Sequence, residues 1–250
     1  MYSVEEVFRN IDARPVAISA AALWAMFVGY VQCFESIRLG FRDRTHAMPV
    51  AATTFFFAHD TFFAGSYFTG HGVSNHWFFA AGGYIIAPYI ILELVLSWQI
   101  VRYSSKELGL GATTGRAALS YLGIQAAMYV FFIFMRMAIN DPLYLLTTYI
   151  SLFVGTIWMT PLLLRRGSRK GQSLLLAFVL WIGQTLSYAF YYPMLSIYFS
   201  SPIIVAVGVT HFFLGATYTF LLMKAPRYVH GSSETGAESN IEANNVRRAH

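Results

Sequence analysis

Asp60 stands in the stretch FFFAHDTFF, Phe55 to Phe63, with His59 beside it and aromatic rings on both sides. An ionised carboxylate in such surroundings is costly unless it is paired, hydrated or protonated. A carboxyl kept neutral by an apolar setting can instead donate its proton at physiological pH, so the residue types point to acid chemistry. A second acid, Glu93, stands in ILELVLSWQ, while His211 in VTHFF and Gln184 in IGQTL are polar groups in equally apolar company.

The elements that position these groups follow from composition. Of 250 residues, 56% are hydrophobic and 12% charged, against roughly 25% charged in an ordinary soluble domain. The apolar residues fall into blocks of about 20, the length of a helix across a bilayer core. Seven spans are expected, near 16–39, 48–69, 77–101, 117–139, 142–164, 173–198 and 202–223. Pro49, Pro142 and Pro202 open their blocks, where the missing N–H is harmless. Pro88, Pro161 and Pro193 lie within or late in spans and predict kinks.

The links alternate in charge, from the basic RLGFRDRTH through HGVSNH, RYSSKELGLGATTGR, NDP and RRGSRKGQ to the neutral SSP. By the positive-inside rule the N-terminus is outside and the C-terminus cytoplasmic. The expected fold class is all-α: residues 1–15 an extracytoplasmic segment, 16–224 a seven-helix transmembrane domain, 225–250 a disordered cytoplasmic tail. The net charge of +5 is spent on these links, so no nucleic-acid partner is expected. The acidic start lacks the basic region of a cleavable signal. Cys33 is the single cysteine and reads as packing.

Spacing also gives depth, at about 1.5 Å per helical residue. Counted from the cytoplasmic ends, Asp60 lies roughly 18 Å up, Glu93 roughly 12 Å, His211 roughly 18 Å and Gln184 roughly 16 Å. Four polar side chains thus share a layer near the midplane, where ionisable groups turn away from lipid. The site expected there has Asp60, Glu93, His59 and His211 as its chemical groups and Phe56, Phe63, Trp181, Gln184 and Tyr188 as its wall. The plainer reading is a hydrogen-bond network that only locks helices together.

The remaining polar residues read structurally. Glu35, three residues before Arg38, forms a same-face ion pair; Arg136 with Asn140 and Asp141 closes the outer side; His71 and His76 belong to an outer link. No ligand spacing suggests a metal, and haem held by His59 and His211 is a remote alternative, so no cofactor is expected. A retinal protein is disfavoured, because the last span has no interior Lys and Lys224 sits at its end.

The stretch IRLGFRDRTHAMPVAATTFFFAHD resembles the small seven-helix integral-membrane terpene cyclases of fungal meroterpenoid and indole-diterpene pathways. There a basic F-x-x-R-T-x-x-M link leads into a span with an Asn-x-x-Trp-Glu element. The resemblance puts the acid of that element on Asp60, its Trp on His59 and its Asn on Phe56, so the acid alone is kept in kind. An aspartate of the third span falls on Glu93, and an acid of the last span falls near Gly215 in GATY, where this chain has none. The resemblance implies metal-free protonation of an epoxide or alkene and closure of the resulting carbocation into rings, with a lipophilic terpenoid or meroterpenoid as substrate and His211 standing in for the missing acid. The rival expectation is a proton-coupled transporter using Asp60 and Glu93, with GYIIAP in span three as a broken helix.

Overall fold

The computed structural model describes residues 1–69, 76–105, 107–109 and 113–228. Among them the chain is helical throughout: α1 Val4–Ala13, α2 Pro15–Asp43, α3 Val50–Phe68, α4 Trp77–Tyr103, α5 Thr114–Ala138, α6 Leu145–Ile157, α7 Met159–Arg166, α8 Leu174–Leu195 and α9 Pro202–Lys224. Six stretches are long and apolar enough to cross a bilayer: α2, α4, α5, α6 with α7 as one span, α8 and α9. The chain therefore reads as a multi-pass membrane protein.

The remaining long helix, α3, has 19 residues, among them Thr53, Thr54, His59, Asp60, Thr61 and Ser66. It packs against α4, α5 and α6, and its polar residues turn to those neighbours or to its own backbone. Thr54 and Thr61 bond carbonyls one turn back, and the Thr61 hydroxyl also meets the Tyr129 hydroxyl at 2.8 Å. On α5 the buried residues are Ala117, Tyr121, Gln125 and Phe132, while Val130 and Phe134 are 68% and 70% exposed. An inward stripe with large apolar side chains facing out is the arrangement a lipid surround favours.

The expected kinks resolve differently. α4 runs unbroken through GYIIAP and Pro88, and the Ile85 carbonyl accepts the Tyr30 hydroxyl of α2 at 2.7 Å. The break in the Leu145–Arg166 span falls at Trp158, ahead of Pro161. In α8 two π-turns, Val179–Gly183 and Ser187–Tyr191, interrupt the α pattern before Pro193.

The first 15 residues are more than a polar leader. Ser3 caps α1 by accepting the Glu6 N–H at 3.2 Å, and Val7 and Ile11 on its inner face are fully buried. Glu6 in turn accepts from Ser196 Oγ at 2.8 Å and Ile197 N–H at 3.0 Å, so α1 is pinned over one end of the bundle. Tyr2 fixes that lid: its hydroxyl donates to Asp141 and accepts from the Leu143 N–H at 3.0 Å. Burial and then the Asp141 charge push the Tyr2 phenol well above its ordinary value, so it remains a donor. Replacing Tyr2 with Phe strands the buried Asp141 and Leu143 groups and should destabilise the fold by about 1–3 kcal/mol, read as a lower thermal midpoint in detergent.

The opposite end is closed by charge. Glu107 takes Arg165 at 2.9 Å and Arg166 at 3.0 Å, and the Arg166 guanidinium lies against Thr45 and His46. Burial, and then the neighbouring Arg166 cation, lower His46 to about 3, so it is neutral there and adds no ion pair with Glu107. Nearby, Glu35 and Arg38 form the expected ion pair, with two contacts of 2.7 Å. Of the expected tail, residues 229–250 lie outside the described residues, as does His71.

Candidate functional site

Helical spacing brings the acids together. The buried stripe of α4 runs Phe79, Gly83, Ile86, Tyr89, Glu93 and Leu96, a 3.6-residue period that aims Glu93 inward. Phe56, His59, Asp60 and Phe63 share one face of α3 by the same rule. Asp60 and Glu93 line a single cavity of about 90 Å³ between α2, α3, α4 and α6. Its wall includes Gln32 and Cys33 from α2, Phe56 and His59 from α3, Tyr89 from α4, and Thr148 and Ser151 from α6. Glu93 is 2% exposed and the Asp60 side chain 14%.

A close helix approach shapes this cavity. A Cβ on Gly29 of α2 would lie 2.6 Å from the Tyr89 hydroxyl. Only glycine leaves Tyr89 room to cross α2, where its hydroxyl donates to the Met26 carbonyl. Tyr89 thus stands as a fixed wall beside Glu93.

Among the described residues no Lys or Arg lines the cavity. Two ionised carboxyls brought together there would be costly in a poor solvent for charge. His59 Nδ1 lies 2.6 Å from Asp60 Oδ1, and His59 Nε2 lies 2.8 Å from Thr148 Oγ1. The imidazole is buried and boxed by the rings of Phe63, Phe132 and Tyr144. Glu93 Oε2 is buried with no hydrogen-bond partner among the described residues.

A second, larger chamber adjoins the first. It measures about 220 Å³, and Met26, Ile86 and Thr148 line both. Its other walls are almost wholly apolar, with Ala22 from α2, Phe63 from α3, Phe78 and Gly82 from α4, and Tyr191 and Tyr192 from α8. Leu23 and Trp77, also in its lining, are exposed on the outside of the bundle. The rim is therefore formed by α2 and the first turn of α4.

The structure thus gathers Asp60, Glu93, His59 and Phe56 in one cavity and puts Phe63 in the next. It does not gather the others. His211 is fully buried between α8 and α9, its Nε2 3.0 Å from the Leu180 carbonyl and its ring against Tyr188. Tyr188 gives its hydroxyl to the Tyr149 carbonyl at 2.9 Å, and Trp181 stacks on Phe178 and lies tilted against Phe212. Gln184 stands one layer back, donating to Gln32 Oε1 at 2.7 Å. His211, Trp181 and Tyr188 pack where α8 meets α9, whereas Gln184 faces α2 and α6, where it also accepts from Thr156 Oγ1 at 3.3 Å, and lies behind Gln32 of the cavity wall.

Gly215, the position on which the resemblance puts an acid, sits at a close helix crossing. A Cβ there would lie 2.8 Å from the Trp181 Cβ and 2.9 Å from its Cα. A carboxylate side chain does not fit at this helix crossing, and His211 does not reach the cavity in its place. Thr148, Tyr89, Gln32 and Ser151 are the site residues sequence reasoning missed. Compared with known protein families, curated proteins and solved structures, the chain matches none.

Proposed function

We propose that this protein is a membrane-embedded acid catalyst that cyclises or isomerises a lipophilic, terpenoid-like polyene or its epoxide. The observation that carries this reading is the pair of carboxyls in a small cavity with no Lys or Arg among its described lining residues, next to an apolar chamber that shares Met26, Ile86 and Thr148 with it. The chain crosses the bilayer seven times in this reading, α3 included, with the N-terminus outside and the C-terminus in the cytoplasm.

The substrate enters from lipid between Leu23 and Trp77, lays its hydrocarbon in the large chamber and presents its reactive end to Asp60. The Asp60 O–H bond breaks. Its hydrogen forms a C–H bond with an alkene carbon, or an O–H bond as an epoxide opens, and the next double bond supplies the electrons that close a ring. A C–H bond beside the final cation then breaks, and its proton passes to the carboxylate left on the Asp60–Glu93 pair. The product is an isomer of the substrate, and the acid is restored. His59 holds Asp60, and the rings of Phe56 and Phe63 exclude the water that would trap a cation as an alcohol and lend their faces to positive charge.

The test is incubation of purified protein with plain and epoxidised polyprenyl compounds, followed by mass spectrometry for an isomer of altered retention. Uptake of a solute into liposomes coupled to protons, without chemical change, would replace this reading with the carrier. The chamber has its own test. The nearest atoms to a Cβ on Gly82 are those of the Phe63 ring, at 3.5 Å, so a large side chain can be placed there. Gly82→Trp should fill the chamber and cut turnover of long polyprenyl substrates at least about tenfold more than that of short ones, the loss of one well-filled subsite being worth on the order of 1–3 kcal/mol. Equal losses at every chain length would place the hydrocarbon elsewhere.

A further inference from the structure

Thr148 is a short polar residue on α6, flanked by a fixed acceptor and an imidazole. Its Oγ1 lies 2.5 Å from the Tyr144 carbonyl oxygen and 2.8 Å from His59 Nε2. Two oxygens at 2.5 Å need a hydrogen between them, and a carbonyl has none to give. The one Thr148 hydroxyl hydrogen is therefore committed to Tyr144. Thr148 can then only accept from His59, so Nε2 carries a hydrogen.

The consequence lies on the other side of the ring. With Nε2 protonated, neutral His59 offers Nδ1 as an acceptor, and the 2.6 Å contact with Asp60 Oδ1 requires a hydrogen between them. That hydrogen belongs to Asp60, or the pair has shared it as imidazolium and carboxylate. In either form the Asp60–His59 link holds one proton more than a carboxylate beside an Nδ1–H imidazole would. The usual helper arrangement, in which a neutral imidazole with a bare Nε2 donates Nδ1–H to an ionised acid, is the one Thr148 forbids. Phe63, Phe132 and Tyr144 meet the rest of the ring.

We infer that Thr148 is a positioning residue that fixes the His59 tautomer and so stores the proton that Asp60 delivers. The proton placement stands on the geometry alone; its use in turnover rests on the acid-catalyst reading above.

The experiment uses full-length protein in detergent, with ¹⁵N-labelled histidine, and reads the two ring nitrogens of His59, assigned by their loss in His59→Gln. Wild type should show a protonated Nε2 and a strongly hydrogen-bonded Nδ1. Thr148→Val, which keeps the shape and removes the acceptor, should move the ring hydrogen to Nδ1; Thr148→Ser should restore the wild-type pattern. Product formation should fall on the order of 10²–10⁴-fold in Thr148→Val, the scale for losing a positioned acid or its imidazole tautomer, and stay within a few-fold in Thr148→Ser. A bare Nε2 in wild type, or unchanged ring signals in Thr148→Val, would overturn the inference whatever the activity. The expected signals with no isomer formed from any polyene would leave the proton placement standing and remove the catalytic reading.

Discussion

Asp60→Asn should abolish isomer formation, by on the order of 10²–10⁴-fold or to below detection, while leaving the protein folded. The amide has the size of the acid and can donate to His59 Nδ1 from its nitrogen, so the 2.6 Å contact survives in kind. The transferable proton does not. Purified variant and wild type compared by thermal midpoint and by mass spectrometry separate the two effects. Loss of fold with loss of product would return Asp60 to the role of helix lock; retained product would move the acid elsewhere.

Glu93→Gln should lower product formation on the order of 10²-fold or more and leave stability unchanged or raised. Glu93 Oε2 is a buried oxygen without a partner among the described residues, and an unbonded oxygen contributes little to holding helices together. Gln is neutral at every pH and so can neither share a charge with Asp60 nor take back a proton from a cation. If the variant instead unfolds several degrees earlier and the residual folded protein works normally, Glu93 is structural. A compensating shift to a different isomer would fit its place as the proton acceptor, since the position of the base decides which C–H bond breaks.

How much of this was legible follows from what a sequence encodes in one dimension. Blocks of about 20 apolar residues give spans, and a rise of about 1.5 Å per residue gives depth, so Asp60 and Glu93 were placed at comparable heights and share a cavity. Height is not direction. His211, Trp181 and Tyr188, counted to a similar height, pack where α8 meets α9, and Gln184 stops behind Gln32, because the neighbours of a helix are set by the tertiary arrangement. The Gly215 crossing, with Trp181 against its backbone, has the same origin.

Other features do leave a signal in the sequence. Ser3 and Glu6, with Val4, Val7, Phe8 and Ile11 at helical spacing, spell a capped amphipathic helix, which the acidic composition of the segment concealed. Thr148 sits in TTYI, where a hydroxyl bonding a carbonyl one turn back is ordinary. Only the placement of His59 from α3 against it gives the residue a role. The two π-turns of α8 left no pattern in composition, and one of them places the Leu180 carbonyl where His211 takes it.

The account turns on a proton held by a carboxyl inside the bundle, and infrared spectroscopy of the purified protein reads that proton without a substrate. Wild type near neutral pH should show the C=O stretch of an un-ionised carboxylic acid, shifted on exchange into D₂O and weakened or removed in Asp60→Asn. Bands of ionised carboxylates alone, or an acid band indifferent to the substitution of Asp60 and of Glu93, would contradict it.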